Sequence, residues 1–422
     1  MCEERIAMFV SKRKKIYRYG LLAFLVLDLV VLGILAWNRL QREIPDKIWT
    51  YVGREELLTN SSLIKYSKKE EKAVEALHIN QTSDKTTVML EGVGTYEVKA
   101  RLFGVLPVKD IQVQAIEPIE VAPSGEPVGI YVETKGLLVL STTSVEGQDG
   151  LIHEPATNIV MTGDYILKVE GTSVKTIQEF NQAVQKRKGE KISLHIRRGK
   201  QNLDVAVHSV LAKDGSNKLG IWVREDTQGI GTMTYITKNG KFGALGHGIT
   251  DADTGTLMDL RGGELYETKI LDIIKGQKGA PGELEGYINM VAKECIGKIE
   301  KNTSLGIFGT IFEPDKQQRK YYEVGLRQDI KTGKAWIYSN MEGTPQKYEI
   351  QIEKINRTSK DNKGMVIRVT DTRLLELTGG IVQGMSGSPI LQDDKIIGAV
   401  THVFVEEPTK GYAVFMENML EY

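Results

Sequence analysis

The sequence predicts a mainly β protein: a pair of packed β-barrels or a β-sandwich, with a small α+β module preceding or inserted into it, behind one N-terminal transmembrane helix. Three observations carry this. One apolar run lies near the N-terminus, and the last two hundred residues read as short β-forming segments separated by turn signals such as Lys-Asn-Gly and Asp-Asn-Lys-Gly. Glycine accounts for 43 of 422 residues, roughly a tenth against about 7% on average, as turn-rich β structure requires. This length gives two or three folded units.

The apolar run extends from Gly20 to Trp37 and is broken only by Asp28; with its flanks it is long enough to cross a bilayer. Arg5, Lys12, Arg13, Lys14, Lys15 and Arg18 precede it, which predicts a cytoplasmic N-terminus and an extracytoplasmic remainder. A mid-span aspartate costs roughly 2.5–3.5 kcal/mol, which the apolar neighbours at about −0.3 to −0.6 each offset. A cleaved signal peptide is the alternative, but Leu35-Ala36-Trp37-Asn38 offers no small-x-small site. The expected order is a basic tail at 1–19, the anchor at 20–37 and a charged stalk at 38–99. The stalk, Lys/Glu-rich from Lys65 to Lys72, is expected to carry a short helix and the first strands of the next unit.

Composition excludes some chemistries. The 55 Lys and Arg balance 55 Asp and Glu, so the basic excess of a nucleic-acid binder is missing. Cys2 and Cys295 fall on opposite sides of the anchor, and the six histidines are scattered without an HExxH spacing. Neither a disulfide framework nor a metal motif results, and a mechanism without metal or cofactor is expected.

Residues 100–212 form a compact mixed pattern. Val128-Gly129-Ile130-Tyr131-Val132 is a glycine in an apolar, strand-like run, and Gly163-Asp164-Tyr165-Ile166-Leu167-Lys168-Val169-Glu170-Gly171 is a strand closed by a Glu-Gly turn. Ile177, Phe180 and Val184 then recur at helical spacing, and Lys191 to Arg197 alternates as a closing strand. This order resembles a PDZ domain. The resemblance implies that a peptide adds as a strand beside the glycine-containing loop, here Val128, Gly129, Ile130 and Tyr131, a single-glycine form of the usual Gly-Leu-Gly-Phe.

The sharpest local signal lies in the final region, 219–422, at Gly384-Met385-Ser386-Gly387-Ser388-Pro389-Ile390. A serine between glycines allows a tight loop whose amides, near Gly384 and Ser386, point at a developing oxyanion. A hairpin follows, Ile390-Leu391 turning through Gln392–Lys395 into Ile396–Val403, and Gly411–Phe415 supplies a further strand. The arrangement is similar to the C-terminal barrel of chymotrypsin-like proteases. A serine nucleophile needs a base, and His247, in Ala244-Leu245-Gly246-His247-Gly248-Ile249-Thr250-Asp251, sits between glycines that permit close approach to its ring. His402 is the competitor, placed in an apolar strand. Asp371, fifteen residues before Ser386, is a candidate for the acid that orients the imidazole, with Asp251 and Asp253 as alternatives.

Anchor, PDZ-like module, "ALGHGITD", "VTD" and "GMSGSPI" together resemble the stage IV sporulation protein B peptidase family of spore-forming Firmicutes. The resemblance implies a chymotrypsin-like fold with His247, Asp371 and Ser386 as a triad, and self-cleavage in the stalk. It further implies action at the forespore inner membrane, facing the space between the two membranes of the developing spore. There such an enzyme cleaves a membrane-associated regulator of an intramembrane protease, leading to activation of a late sigma factor. The competing reading is a non-catalytic, membrane-anchored PDZ scaffold that binds partner peptides.

Overall fold

The structure is a computed structural model; it describes residues 2–59, 61–69, 76–187, 189–314 and 318–420. The chain divides into two units, 1–118 and 119–422.

The first unit opens with one helix, α1 (Cys2–Glu43), whose 42 residues span about 63 Å at 1.5 Å each. Its stretch Tyr17–Arg42 is long and apolar enough to cross a membrane. Seven strands follow: β1 (Lys47–Tyr51), β2 (Glu55–Thr59), β3 (Ile64–Lys68), β4 (Leu77–Gln81), β5 (Thr86–Leu90), β6 (Gly94–Leu102) and β7 (Leu106–Ile116). They form a four-stranded sheet in the order β1-β7-β6-β3 and a three-stranded sheet in the order β2-β5-β4.

The stalk expectation is corrected here, because residues 44–116 are a folded β unit with its own core. Ile64 and Tyr66, Val98 and Ala100, and Ile111, Val113 and Ala115 alternate into that core, while the intervening Lys65, Lys99, Gln112 and Gln114 lie on the opposite face. That is the two-residue period of half-buried strands, and the high charge is the solvated face of the sheets. No helix lies between Ile44 and Pro118 among the described residues. The Lys/Glu-rich stretch continues into residues 70–75, outside the described residues.

In the second unit a short strand, β8 (Glu120–Pro123), leads into β9 (Pro127–Thr142). Next come β10 (Tyr165–Val169), α2 (Ile177–Gln185), β11 (Lys191–Arg198), β12 (Gln201–His208), β13 (Ile221–Ile236) and β14 (Lys241–Ala244). β15 (Leu260–Ile274), β16 (Glu283–Ile288), β17 (Cys295–Thr303) and β18 (Gly306–Ile311) follow. Strands β9-β15-β17-β18-β14-β13 pair in succession, and β13 pairs back with β9, closing a six-stranded barrel. Val128, Ile130, Val132, Met233, Phe242, Leu265 and Ile307 fill it.

The second barrel comprises β19 (Gly333–Ser339), β20 (Gln346–Ile355), β21 (Met365–Val369), β22 (Pro389–Gln392), β23 (Lys395–Phe404) and β24 (Glu407–Phe415), with α3 (Thr372–Thr378) between β21 and β22. It closes in the order β19-β20-β21-β24-β23-β22 around Ile337, Tyr348, Ile350, Ile367, Met385, Ile390 and Phe415. The predicted strands at 232–236, 348–355 and 364–370 all fall on barrel strands.

The PDZ-like module grows out of the first barrel. The later half of β9 pairs with β10 (Leu138 opposite Tyr165) and with the start of β13 (Thr142 opposite Ile221), while the earlier half belongs to the barrel. Gly136, at φ 98°, is where β9 turns from one body to the other. The module therefore spans about 136–224 and is an insertion between the first two barrel strands, rather than a domain at 100–212 preceding a protease that starts at 219. Helix α2 follows the expected pattern: Thr176 and Glu179 form a reciprocal capping box, and Phe180 and Val184 are buried. With Leu137, Ile166, Leu194 and Ile196 they build a separate core.

Val128, Gly129, Ile130 and Tyr131 are consequently not a peptide-accepting loop. They form barrel strand β9, with Gly231, Ile230, Gly229 and Gln228 opposite on one side and Glu267, Tyr266, Leu265 and Glu264 on the other. Both edges are occupied, so no strand can be added. Gly129 is explained by packing: a Cβ there would stand 2.5 Å from Ile288 and 2.6 Å from Thr268 Oγ1.

Candidate active site

Ser386 lies in the loop between α3 and β22, and His247 in the turn after β14. Both line one cleft of about 510 Å³, together with Leu245, Gly384, Thr401 and His402. The serine loop is fastened to the first barrel through Thr232. Its amide donates to Ser386 O at 3.0 Å and its hydroxyl to Gly384 O at 2.6 Å. Gly387 makes the close approach possible: it adopts φ 98°, and a Cβ would stand 2.1 Å from Thr232 O and 2.6 Å from Leu245 N.

The amides of Gly384 and Ser386 differ from their neighbours. Neither donates to an acceptor among the described residues, whereas the neighbouring amides of Met385, Gly387 and Ser388 are all bonded within the protein. Two free donors flanking a half-buried hydroxyl are what a developing oxyanion requires. Ser386 Oγ itself donates to Thr401 O at 2.8 Å; the hydroxyl rests on a backbone carbonyl of β23.

His247 Nδ1 stands 2.9 Å from Gly248 O. A carbonyl only accepts, so Nδ1 carries the proton and Nε2 keeps its lone pair, the tautomer of a general base. Burial pushes the imidazole below its ordinary pKa, with the Gly248 carbonyl opposing. His402 packs beside it, ring centroids 5.0 Å apart and planes at 38°. Burial, then the charges of His247 and Lys363, push His402 down to about 4. At neutral pH the cleft holds two uncharged imidazoles.

Asp371 is not brought to this pair. It is the N-cap of α3, and it lies outside the residues lining the cleft. Its carboxylate accepts from the amides of Arg373 at 3.0 Å, Leu374 at 3.3 Å and Glu349 at 3.2 Å. Burial pushes this carboxyl up, but the Glu349 and Leu374 amides and the Arg373 guanidinium outweigh it and hold it below the usual range. The sequence suggested a third catalytic member from its place at a strand end; a helix start reads the same way. Asp251 and Asp253 are engaged too, both by Arg224 of β13, the latter at 2.7 Å.

The insertion offers the edge that sequence reasoning placed elsewhere. Ile221 and Trp222 at the start of β13 pair only with Thr142 and Ser141 of β9. Among the described residues no strand lies on their other side. Gly220 precedes them at φ 62°, with its carbonyl accepting from Thr143 N at 2.8 Å, and Trp222 is 63% exposed. Leu219-Gly220-Ile221-Trp222 is an apolar run with a single glycine, as Val128–Tyr131 is. The signal was therefore present twice, and only the pairing separates the two. An unpaired edge of this kind accepts an extended segment as an added strand.

Two closed six-stranded barrels, with serine and histidine loops meeting in one cleft and a PDZ-like insertion, define a chymotrypsin-like double-barrel fold. Residues 215–420 match the family model of the SpoIVB peptidase S55, and this region is similar to that family of serine peptidases. Among solved structures, the PDZ domain of an SdrC-like protein from Listeria monocytogenes is similar at 24% identity over 22% of this chain and 90% of that one, with a TM-score of 0.18. The corresponding domain from Listeria innocua is similar at 26% identity over 21% and 94%, also with a TM-score of 0.18. None of the curated proteins compared matches the chain.

Proposed function

We propose that the chain is a membrane-anchored serine endopeptidase in which Ser386 is the nucleophile, His247 the general base and the Gly384 and Ser386 amides the oxyanion hole. The observation that carries this reading is that a Nδ1-protonated histidine and a glycine-flanked serine line one cleft beside two amides without acceptors. Ser386 Oγ turns from Thr401 O to His247 Nε2, which takes its proton as Oγ bonds to the scissile carbonyl carbon. The C–N bond then breaks as His247 gives that proton to the leaving amine, and water, activated by the same imidazole, hydrolyses the acyl-serine. Similarity of residues 215–420 to the SpoIVB peptidase family supports the finer reading that such a chain cleaves itself and a membrane-associated regulator of an intramembrane protease during sporulation, with α1 as the anchor. Self-cleavage at 38–99 then falls on connecting segments, because a protease binds its substrate extended and paired strands have no free edge to offer.

A fluorophosphonate probe tests the reading. It is expected to label wild-type protein on the peptide containing Ser386, because only an activated serine reacts efficiently. Absence of labelling in membranes, with substrate present, favours the non-catalytic scaffold. The resting bond from Ser386 to Thr401 is the observation on that side.

Asp371 is the third member of the expected triad, and its role is separable by magnitude. As a helix cap alone, Asp371→Ala costs about 0.5–2 kcal/mol of stability and leaves turnover nearly intact. As the orienting acid it costs on the order of 10⁴ in kcat. The geometry supports the first outcome, because the Gly248 carbonyl already fixes the His247 tautomer. Thermal melts and kcat measured on the same preparation decide between them.

A further inference from the structure

Phe103, Val105 and Leu106 are 65%, 75% and 52% exposed at the tip of the hairpin joining β6 to β7. The turn itself is tight: Phe103 and Gly104 have φ 53° and 77°, and Val105 N donates to Leu102 O at 3.1 Å. Leu63, 50% exposed, stands beside it, its carbonyl accepting from Phe103 N at 2.7 Å. Lys65 and Arg101, opposite one another on β3 and β6, are the first cations behind the tip. Hairpin turns are ordinarily built from Gly, Asn, Asp and Ser; four contiguous large apolar side chains at a tip mark an interaction surface.

The course of the chain points to what covers it. Gln41 Nε2 donates to Val108 O at 3.4 Å, Lys109 Nζ donates to Gln41 O and Ile44 O, and Gln112 N donates to Asp46 O. Lys47 then sits opposite Gln112 in parallel register. Residues 41 to 47 thus meet residues 108 to 112 in step. Followed backward, the helix enters its apolar run while β7 runs to the tip. Trp37 and Leu40 pack on the core of the same unit, so the helix is docked rather than free. From Val108 back to Val105 is roughly 10 Å at 3.3 Å per residue, as far as about seven residues of helix at 1.5 Å each. That brings the tip level with about residue 34, inside the apolar run that ends at Trp37.

We propose that the 103–106 tip, with Leu63, is a finger that enters the outer interface of the bilayer crossed by α1, with Lys65 and Arg101 at the level of acidic headgroups. The inference rests on α1 being a membrane anchor. Aromatic and aliphatic residues backed by cations that snorkel suit that depth. With the finger inserted, the first unit is held to the membrane at two points and does not swivel on a single tether.

The test uses the full chain, with Cys2→Ser and Cys295→Ser, in phosphatidylethanolamine–phosphatidylglycerol vesicles containing a shallow spin-labelled lipid. An environment-sensitive fluorophore is attached at Val105→Cys, at Val93→Cys near the other end of the same hairpin, and at Leu29→Cys within α1. The expected result is blue-shifted, strongly quenched emission at 105 and 29, with none of either at 93. An unquenched 105 beside a quenched 29 overturns the finger while the anchor stands. If 29 is also unquenched, the anchor fails and the finger with it. Quenching at all three positions overturns the finger in favour of adsorption of the whole unit.

Discussion

Ser386→Ala is expected to abolish peptide hydrolysis, with a loss on the order of 10⁶ in kcat, the scale on which removing a serine nucleophile acts. The substitution is structurally mild. Ser386 is half-buried, and its hydroxyl makes one hydrogen bond, to Thr401 O, so the folding cost is about 0.5–1.5 kcal/mol. The loop is held by groups the substitution leaves in place: Thr232 on the carbonyls of Gly384 and Ser386, and Met385 in the core of the second barrel. Activity and stability therefore separate, and an inactive variant that melts within a few degrees of wild type cannot be dismissed as misfolded. The measurement is scission of the chain's own first unit, followed by gel and intact mass, beside turnover of an exogenous peptide. Ser388 is the internal control. It is fully buried, with its hydroxyl on Ser339 at 3.2 Å, and Ser388→Ala is expected to retain cleavage. Residual cleavage by Ser386→Ala at an undiminished rate would place the nucleophile elsewhere and remove the argument for the oxyanion amides with it.

How far the sequence carried depends on the range of the interaction concerned. Segments whose meaning is local were legible: the apolar run of α1, the capping box and 3.6-residue period of α2, and the alternating strands of the second barrel. So were the tight turns that carry His247 and Ser386, because the glycines they need are written in adjacent residues. Long-range pairing was not legible. Nothing local at Val128–Tyr131 records that β13 and β15 cover both its edges, and nothing at Leu219–Trp222 records that one edge stays open. The first unit was hidden by its own charge, since Lys and Glu on the outer faces of β3 and β6 mask the alternation of Ile64, Tyr66, Val98 and Ala100. Asp371 shows the same limit on the scale of one side chain. A carboxylate before Thr-Arg-Leu-Leu satisfies helix amides as readily as it orients an imidazole, and only the contacts tell which.

His247 sets the second large effect, and its direction follows from the surroundings of the ring. Replacing it by glutamine removes the proposed base and is expected to cost on the order of 10⁶ in kcat. As the proposed base His247 must be neutral, and burial holds its pKa below the ordinary 6.5. The acid limb of kcat/KM is therefore expected to have its midpoint below 6.5, so that activity persists into mildly acidic solution. His402 is pushed lower, to about 4, in part by the charge His247 acquires. His247 takes the first proton and discourages the second, and activity falls with a slope of one proton although two imidazoles share the cleft. Stability moves the same way. Both rings have folded-state pKa values below the unfolded value, so the unfolded chain binds more protons as pH falls through 6.5. The folded state loses ground from there down to about 4, where the contribution of His402 is complete. His402→Gln is expected to flatten the melting profile across that window while leaving the acid limb of catalysis in place. A limb centred above 6.5, or one that follows His402 and not His247, would mean that the base has been misassigned between the two rings.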